Sequence, residues 1–231
     1  MTKSLSIDVA GRLLPIALKR SSMARRMSLR VDPTVGGVVM VLPVGVSVAE
    51  AERFAARQRA WIAERLAALP ERQVFAPGAA VPILGVPHPI RHAPTARRGV
   101  WTEDGALMVS GLVEHMGRRV ADFLVAEARR QVVPRAHGLA ERIGRKITRI
   151  SLRDTRSRWG SCTADGALAF SWRLVMAPEW VLSYVVAHEV AHLAELNHGP
   201  RFWQVVAELG GEPRAARSWL KAHGPGLHRW G

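Results

Sequence analysis

The sequence predicts an α+β protein: an N-terminal antiparallel β-sheet with one packed helix, followed by a mainly helical half with a short sheet. Three observations carry this reading. Short Val-, Ile- and Leu-rich segments recur over residues 4–9, 13–19, 27–32 and 37–42, with turn signals such as Gly11-Arg12 and Gly36-Gly37 between them. Ser47-Val48-Ala49-Glu50 has the spacing of a capping box and opens a helical run to about Leu69. Towards the C-terminus, His188-Glu189-Val190-Ala191-His192 lies in an apolar run free of glycine and proline from Glu179 to His198. A β-rich subdomain over 1–111 and a catalytic-type subdomain over 112–231 are expected.

The 231 residues suffice for one large domain or two small ones with a real core. Charge interrupts every apolar run well short of the ~20 residues that a membrane span needs. Met1-Thr2-Lys3-Ser4-Leu5-Ser6-Ile7-Asp8 lacks the apolar region of a secretory signal. The single cysteine, Cys162, excludes an internal disulfide and fits a reducing compartment, so the cytoplasm is expected. Lys and Arg number 33 against 19 Asp and Glu, a formal charge of +14. Such a field either favours a polyanion (nucleic acid, a nucleotide or an anionic membrane surface) or is a solvated basic surface without a specific partner.

Taken in order, the four N-terminal strands include a basic connection, Lys19 to Arg26, which is either an exposed loop or a phosphate-contacting one. In the helix that follows, Phe54, Trp61, Ile62, Leu66 and Leu69 fall near one stripe, and Pro70 ends it. Residues 71–111 return to strand character, with a turn over Ile83–Pro87 and a hairpin signal at Asp104-Gly105. His88 and His92, four apart on a strand, lie ~13 Å from each other and cannot share a metal. From Leu112 a helix runs to Pro134, which either kinks it or starts a second helix ending near Gly144. Lys146–Arg153 alternates as a half-buried strand does, and Ala167–Trp172 reads as another. The motif helix then starts after Pro178, a short helix opens at Pro200, and a last one opens at Pro213. The tail from Gly224 to Gly231 is expected to be loose.

On a helix, residues four apart are rotated by only ~40° and separated by ~6 Å, so His188 and His192 converge on one metal. Glu189 stands beside them, placed to take a proton from a water that the metal activates. His198 is the expected third ligand, with Glu195 as the alternative. Nitrogen ligands favour zinc. The spacing matches the metzincin pattern H-E-x-x-H-x-x-G-x-x-H, but Glu195 occupies the glycine position and no methionine follows His198, which excludes that class. Tyr184, one turn before His188, is either an oxyanion donor or a packed aromatic. Arg156 and Arg158 either build a turn or bind an anionic substrate group. Cys162 reads as a small buried residue rather than a nucleophile.

Arg158-Trp159-Gly160-Ser161-Cys162, Trp172-Arg173-Leu174, Tyr184 to Glu189, Asn197-His198 and Phe202-Trp203 together resemble the YgjP-like metallopeptidase-domain family. Arg26 to Val31, Leu42-Pro43 and Trp61-Ile62 extend the resemblance over most of the chain. It implies a zincin-like fold, shared with SprT-like zinc peptidases, with His188, Glu189, His192 and His198 at the matching positions. Ser171 stands where the family usually has Asn, and Gly199 where it often has Ser; neither touches the ligand set.

The expected function is a zinc-dependent hydrolase, foremost a peptidase acting on a peptide or protein, with the strand at 167–172 available to pair with an extended substrate. A metal-dependent phosphohydrolase acting on nucleotides is the alternative that the arginines around 153–158 favour. A nucleic-acid-associated protease or binding module is the third.

Overall fold

Burial alternates along the first strands as the sequence pattern requires. β1 (Ser4–Val9) pairs antiparallel with β2 (Arg12–Ser21), turning at Gly11, whose φ of 78° suits glycine. β3 (Ser28–Asp32) and β4 (Gly37–Pro43) complete a four-stranded sheet in the order β1-β2-β4-β3. The sheet is mixed rather than antiparallel, because β4 lies parallel to β2 and β3 takes the outer edge. The structure, a computed structural model, describes residues 4–9, 11–32 and 36–231; Met1–Lys3, the head of the stretch tested for a secretory signal, fall outside them. It divides into two compact units, residues 1–71 and 72–231.

In the first unit Leu5, Ile7, Ile16, Val38, Met40 and Leu42 point to one face and meet Ala51, Ala55 and Ile62. The capping box forms: Ser47 Oγ accepts from the Glu50 amide (3.2 Å) and Glu50 Oε2 accepts from the Ser47 amide (2.9 Å). The expected single helix is two, α1 (Val48–Arg57) and α2 (Arg59–Ala67). Gln58 leaves the helical region (φ −98°, ψ 11°), and residues on both sides of the break reach the sheet.

The second unit opens with β5 (Ala80–Ile83), β6 (Val86–Ala93), β7 (Val100–Glu103) and β8 (Ala106–Ser110), ordered β5-β6-β8-β7. Asp104 and Gly105 both have positive φ (47° and 69°), as the two-residue turn of the β7–β8 hairpin demands. Val81, Ile90, Leu107 and Val109 of this sheet share a core with Val120 and Leu124 of α3 (Met116–Arg142). The division expected at 111/112 therefore falls inside this unit, and the sheet belongs with the helices that follow it. α3 passes through Pro134 as one helix of 27 residues. The missing hydrogen bond is offset by burial on both sides of it, Leu124 and Ala128 in one core cluster, Val132 and Ala136 in the next.

β9 (Arg149–Arg153), β10 (Gly160–Cys162) and β11 (Ala167–Ser171) form a third sheet, ordered β10-β11-β9. A 3-10 turn over Trp172–Met176 leads into α4 (Glu179–Ala191), followed by α5 (Pro200–Glu208) and α6 (Pro213–Leu227). The tail is not loose. Buried Arg173 grips the Asp154 carboxylate with Nε (2.6 Å) and Nη2 (3.1 Å), and its Nη1 donates to the carbonyls of Leu227 and Trp230, both at 2.9 Å. Trp230 stacks on Phe75 at 5.5 Å, and the Arg72 guanidinium donates to the Gly231 carbonyl. No helix among the described residues is long and apolar enough to cross a membrane.

Candidate active site

α4 is apolar on nearly every face and is buried accordingly, from Val181 through Val186 to Val190 and Ala191. It brings His188 and Glu189 into the interior. The helix ends at Ala191, with His192 as its C-cap (φ −64°, ψ −18°), earlier than the sequence suggests. The chain then winds through tight turns, with the amides of Leu193 and Glu195 donating to the carbonyls of Val190 and Ala191, both at 3.0 Å. Pro200 at the start of α5 fixes the next direction. These turns carry His198 back over His188.

The three imidazoles converge. Ring centroids lie 5.1 Å apart for His188 and His192, 5.1 Å for His188 and His198, and 4.8 Å for His192 and His198. One ring nitrogen from each lies within 4.8 Å of the others, so the trio could hold a metal ion. Glu195 is not in this cluster; its backbone carbonyl sits 3.0 Å from His192 Nδ1 and takes that N–H, which leaves Nε2 for the centre. Phe202 closes one side, 4.5–4.9 Å from all three rings, and Trp203 stacks on His198 at 5.7 Å. Burial, the neighbouring imidazoles and the Arg217 guanidinium push His188 down to about 4, so the ring is neutral at pH 7. Burial also lowers His192, partly opposed by its bond to the Glu195 carbonyl.

Glu189 is buried beside the cluster, and burial raises its carboxyl to about 7, against the pull of Arg158. Its position depends on Gly160 of β10. A Cβ on Gly160 would lie 2.5 Å from both Cγ and Oε1 of Glu189, so only glycine fits against the carboxylate. A cavity of about 270 Å³ opens here, lined by Arg158, Gly160, Tyr184, His188, Glu189 and Arg217 among others. Tyr184 Oη stands 3.4 Å from His188 Nδ1, and burial raises its phenol above the usual value.

The structure thus gathers His188, Glu189, His192, His198, Tyr184 and Arg158 around one centre, while exposed Arg156 is not among the residues lining this cavity. Cys162 is half-buried and pushed up to about 11 by burial and by the carboxylates of Glu189 and Asp165, which leaves it little thiolate. The strand at 167–171 is central in its sheet, with β9 and β10 on its two sides, so it has no edge to offer a substrate. Sequence pattern alone points to none of Gly160, Arg217 and the Arg173–Asp154 clamp. Gly160 lies in the Trp159-Gly160-Ser161-Cys162 run, whose pattern assigns it no role, and nothing in the sequence singles out Arg217.

A centre of three histidines beside a buried carboxyl has the chemistry of a metal-dependent hydrolase. A family model described as YgjP-like, metallopeptidase domain, matches residues 25–223, and the chain belongs to the YgjP-like family. Membership implies a metal-dependent peptidase with a peptide or protein substrate. No curated protein and no solved structure matches the chain.

Proposed function

We propose that the protein is a zinc metallopeptidase of zincin-like build, in which His188, His192 and His198 hold the ion and Glu189 is the general base. The observation that carries this is the convergence of three imidazole nitrogens beside a carboxyl raised to about 7. The donor set suits zinc. His188 Nε2 and His198 Nε2 lie 3.2 Å apart, close to the ~3.4 Å between two ligands each ~2.0–2.1 Å from a tetrahedral ion. Neutral imidazoles need lose no proton to bind it. When bound, zinc supplies Lewis acidity, acidifying water and polarising a carbonyl.

The remaining work belongs to the chain. Glu189, buried beside the three histidines, takes the proton of the attacking water and returns it to the leaving amine. Gly160, lacking a Cβ, leaves room for the carboxylate to lie against β10. Tyr184 holds Nδ1 of His188, and the Glu195 carbonyl holds Nδ1 of His192, so both rings keep Nε2 inward. β10 is the edge of its sheet and borders Glu189, so it is the strand to which an extended substrate adds its backbone. The single cysteine keeps the cytoplasm as the proposed setting.

The test is cleavage of casein and of a quenched peptide library by the zinc-loaded protein. Glu189→Gln is expected to lose at least about 100-fold in rate while keeping one zinc per chain. Undiminished cleavage in that variant contradicts the mechanism. Metal-dependent phosphate release from nucleoside triphosphates without any peptide cleavage would favour the phosphohydrolase reading instead.

A further inference from the structure

The outer face of the third sheet carries a feature that catalysis does not use. Along β9, Ile150 and Leu152 pack against the core, so Arg149, Ser151 and Arg153 share the opposite face. The strand register sets Ser161 opposite Ala169 and Ala169 opposite Ser151, a row of three small residues across the sheet. Long side chains flank that row, Arg149 opposite Ala167 and Arg153 opposite Ser171. The result is a trough of about 240 Å³ with a floor of serine and alanine. Its walls are lined by Arg149, Arg153 and Arg158 and by Thr155 and Thr163, whose hydroxyls donate to the carbonyls of Arg158 and Ala167; no carboxylate is among the lining residues, and Asp165 lies beyond the rim near Arg149. Arg153 Nε donates to Ser151 Oγ at 3.4 Å, which steadies it along the floor.

The trough is not remote from the chemistry. Arg158 and Gly160 line both it and the cavity at Glu189. At the other end, Thr163 also lines a third cavity, of about 400 Å³, which reaches His192 and contains Arg145 and Lys146 with Asp165. The edge strand β10 is therefore bordered by cationic side chains along its length. A solvated basic face would spread its arginines over a convex surface; here Arg149, Arg153 and Arg158 line one concave floor kept open by small residues.

We propose that this trough is a specificity subsite for an acidic side chain of the extended substrate. The proposal rests on the peptidase reading and on the pairing of substrate backbone with β10. Side chains of a paired strand alternate between faces, so every second one falls on the trough side. Ser161 and Ala169 leave its path clear, and a carboxylate or a phosphoserine oxyanion arriving there meets forked guanidinium donors, which match both groups bidentately. The substrate class is thus an acidic extended segment.

The test measures binding rather than turnover. Fluorescein-labelled peptides with Glu, phosphoserine, Gln or Lys at alternate positions are titrated by anisotropy into zinc-loaded Glu189→Gln protein, which cannot consume them. The Glu peptide is expected to bind about tenfold tighter than its Gln isostere. Arg149→Gln/Arg153→Gln is expected to bring that ratio to within about twofold. The control pair Arg53→Gln/Arg57→Gln on α1, with the same loss of charge, is expected to leave the ratio as it was. Tighter binding of the phosphoserine peptide than of the Glu peptide supports the subsite and identifies phosphorylated segments as the source of the anion. A parent ratio near one, or an equal fall in the control pair, overturns the proposal. So does a single-stranded oligonucleotide that displaces the Glu peptide and depends on Arg149 and Arg153, which would give the trough to nucleic acid. Absence of cleavage by the wild-type protein leaves these ratios measurable and counts against the peptidase reading alone.

Discussion

Helix α4 and strand β10 meet at Glu189, yet they reach that meeting by different routes. α4 places His188, Glu189 and, at its end, His192 by helical periodicity, within five consecutive residues. β10 is three residues long and owes its position to distant partners: β11 on one side, Glu189 against Gly160, and beyond it a C-terminal tail packed on Trp159. The His228 ring stacks on Trp159 at 4.7 Å, and a Cβ on Gly224 would come within 2.8 Å of the same indole. On the proposed reading, metal binding would thus depend on local geometry, whereas the alignment of base and substrate would depend on contacts that span some seventy residues of chain, from Trp159 to His228.

Substitutions can separate the two routes. The largest effect is expected on the helical side: His188→Ala should abolish stoichiometric zinc binding, read by elemental analysis of dialysed protein, and with it all cleavage. Next comes Gly160→Ala. Its Cβ forces Glu189 aside, so peptide cleavage should fall by about 100-fold while zinc content stays at one per chain. A normal rate in Gly160→Ala would remove the strand from the account.

Arg173→Ala tests the tail. It takes a partner from the half-exposed Asp154 carboxylate and leaves two buried backbone carbonyls without their donor, each such carbonyl costing about 1–3 kcal/mol. The melting temperature should drop by about 10 °C, and Arg173→Lys should not restore it, because a single ammonium cannot replace four directed hydrogen bonds.

The smallest effect concerns Cys162 on β10. Its pKa rises from 9.0 to about 11, so the folded state holds the thiol proton more tightly than the unfolded one. The stabilisation this represents is complete below pH ~9 and is lost as pH rises through ~11. Alkylation by iodoacetamide at pH 8 should therefore be about 100-fold slower in the native protein than in urea. Equal rates would place Cys162 in water and β10 away from Glu189.

What could be read in the sequence follows the same division. The imidazoles of His188, His192 and His198, the carboxyl of Glu189 and the capping box at Ser47 belong to short-range patterns, and the structure brings the three rings together and closes the box as their spacing suggests. The β7–β8 turn at Asp104-Gly105 was equally legible, because φ > 0 at both residues leaves few alternatives. The parallel pairing of β2 with β4 was not, since alternation fixes which face a residue takes but not which neighbour a strand finds. The end of α4 at Ala191 was hidden because no glycine or proline marks it. The order of the tail is hidden for a related reason: glycines and a proline suggest looseness locally, while Arg173, more than fifty residues away, supplies the hydrogen bonds that hold it. Composition also concealed Arg217 among the other arginines until the fold set it beside His188.

The central claim is that three imidazoles, and no carboxylate, define the metal position. An anomalous difference map from zinc-loaded crystals, recorded at the zinc edge, tests it directly. One peak ~2.0–2.1 Å from Nε2 of His188, His192 and His198, with Glu189 alongside but outside bonding distance, is the predicted result. A peak bonded to the Glu195 carboxylate in place of His198, or no peak among these histidines, would contradict it.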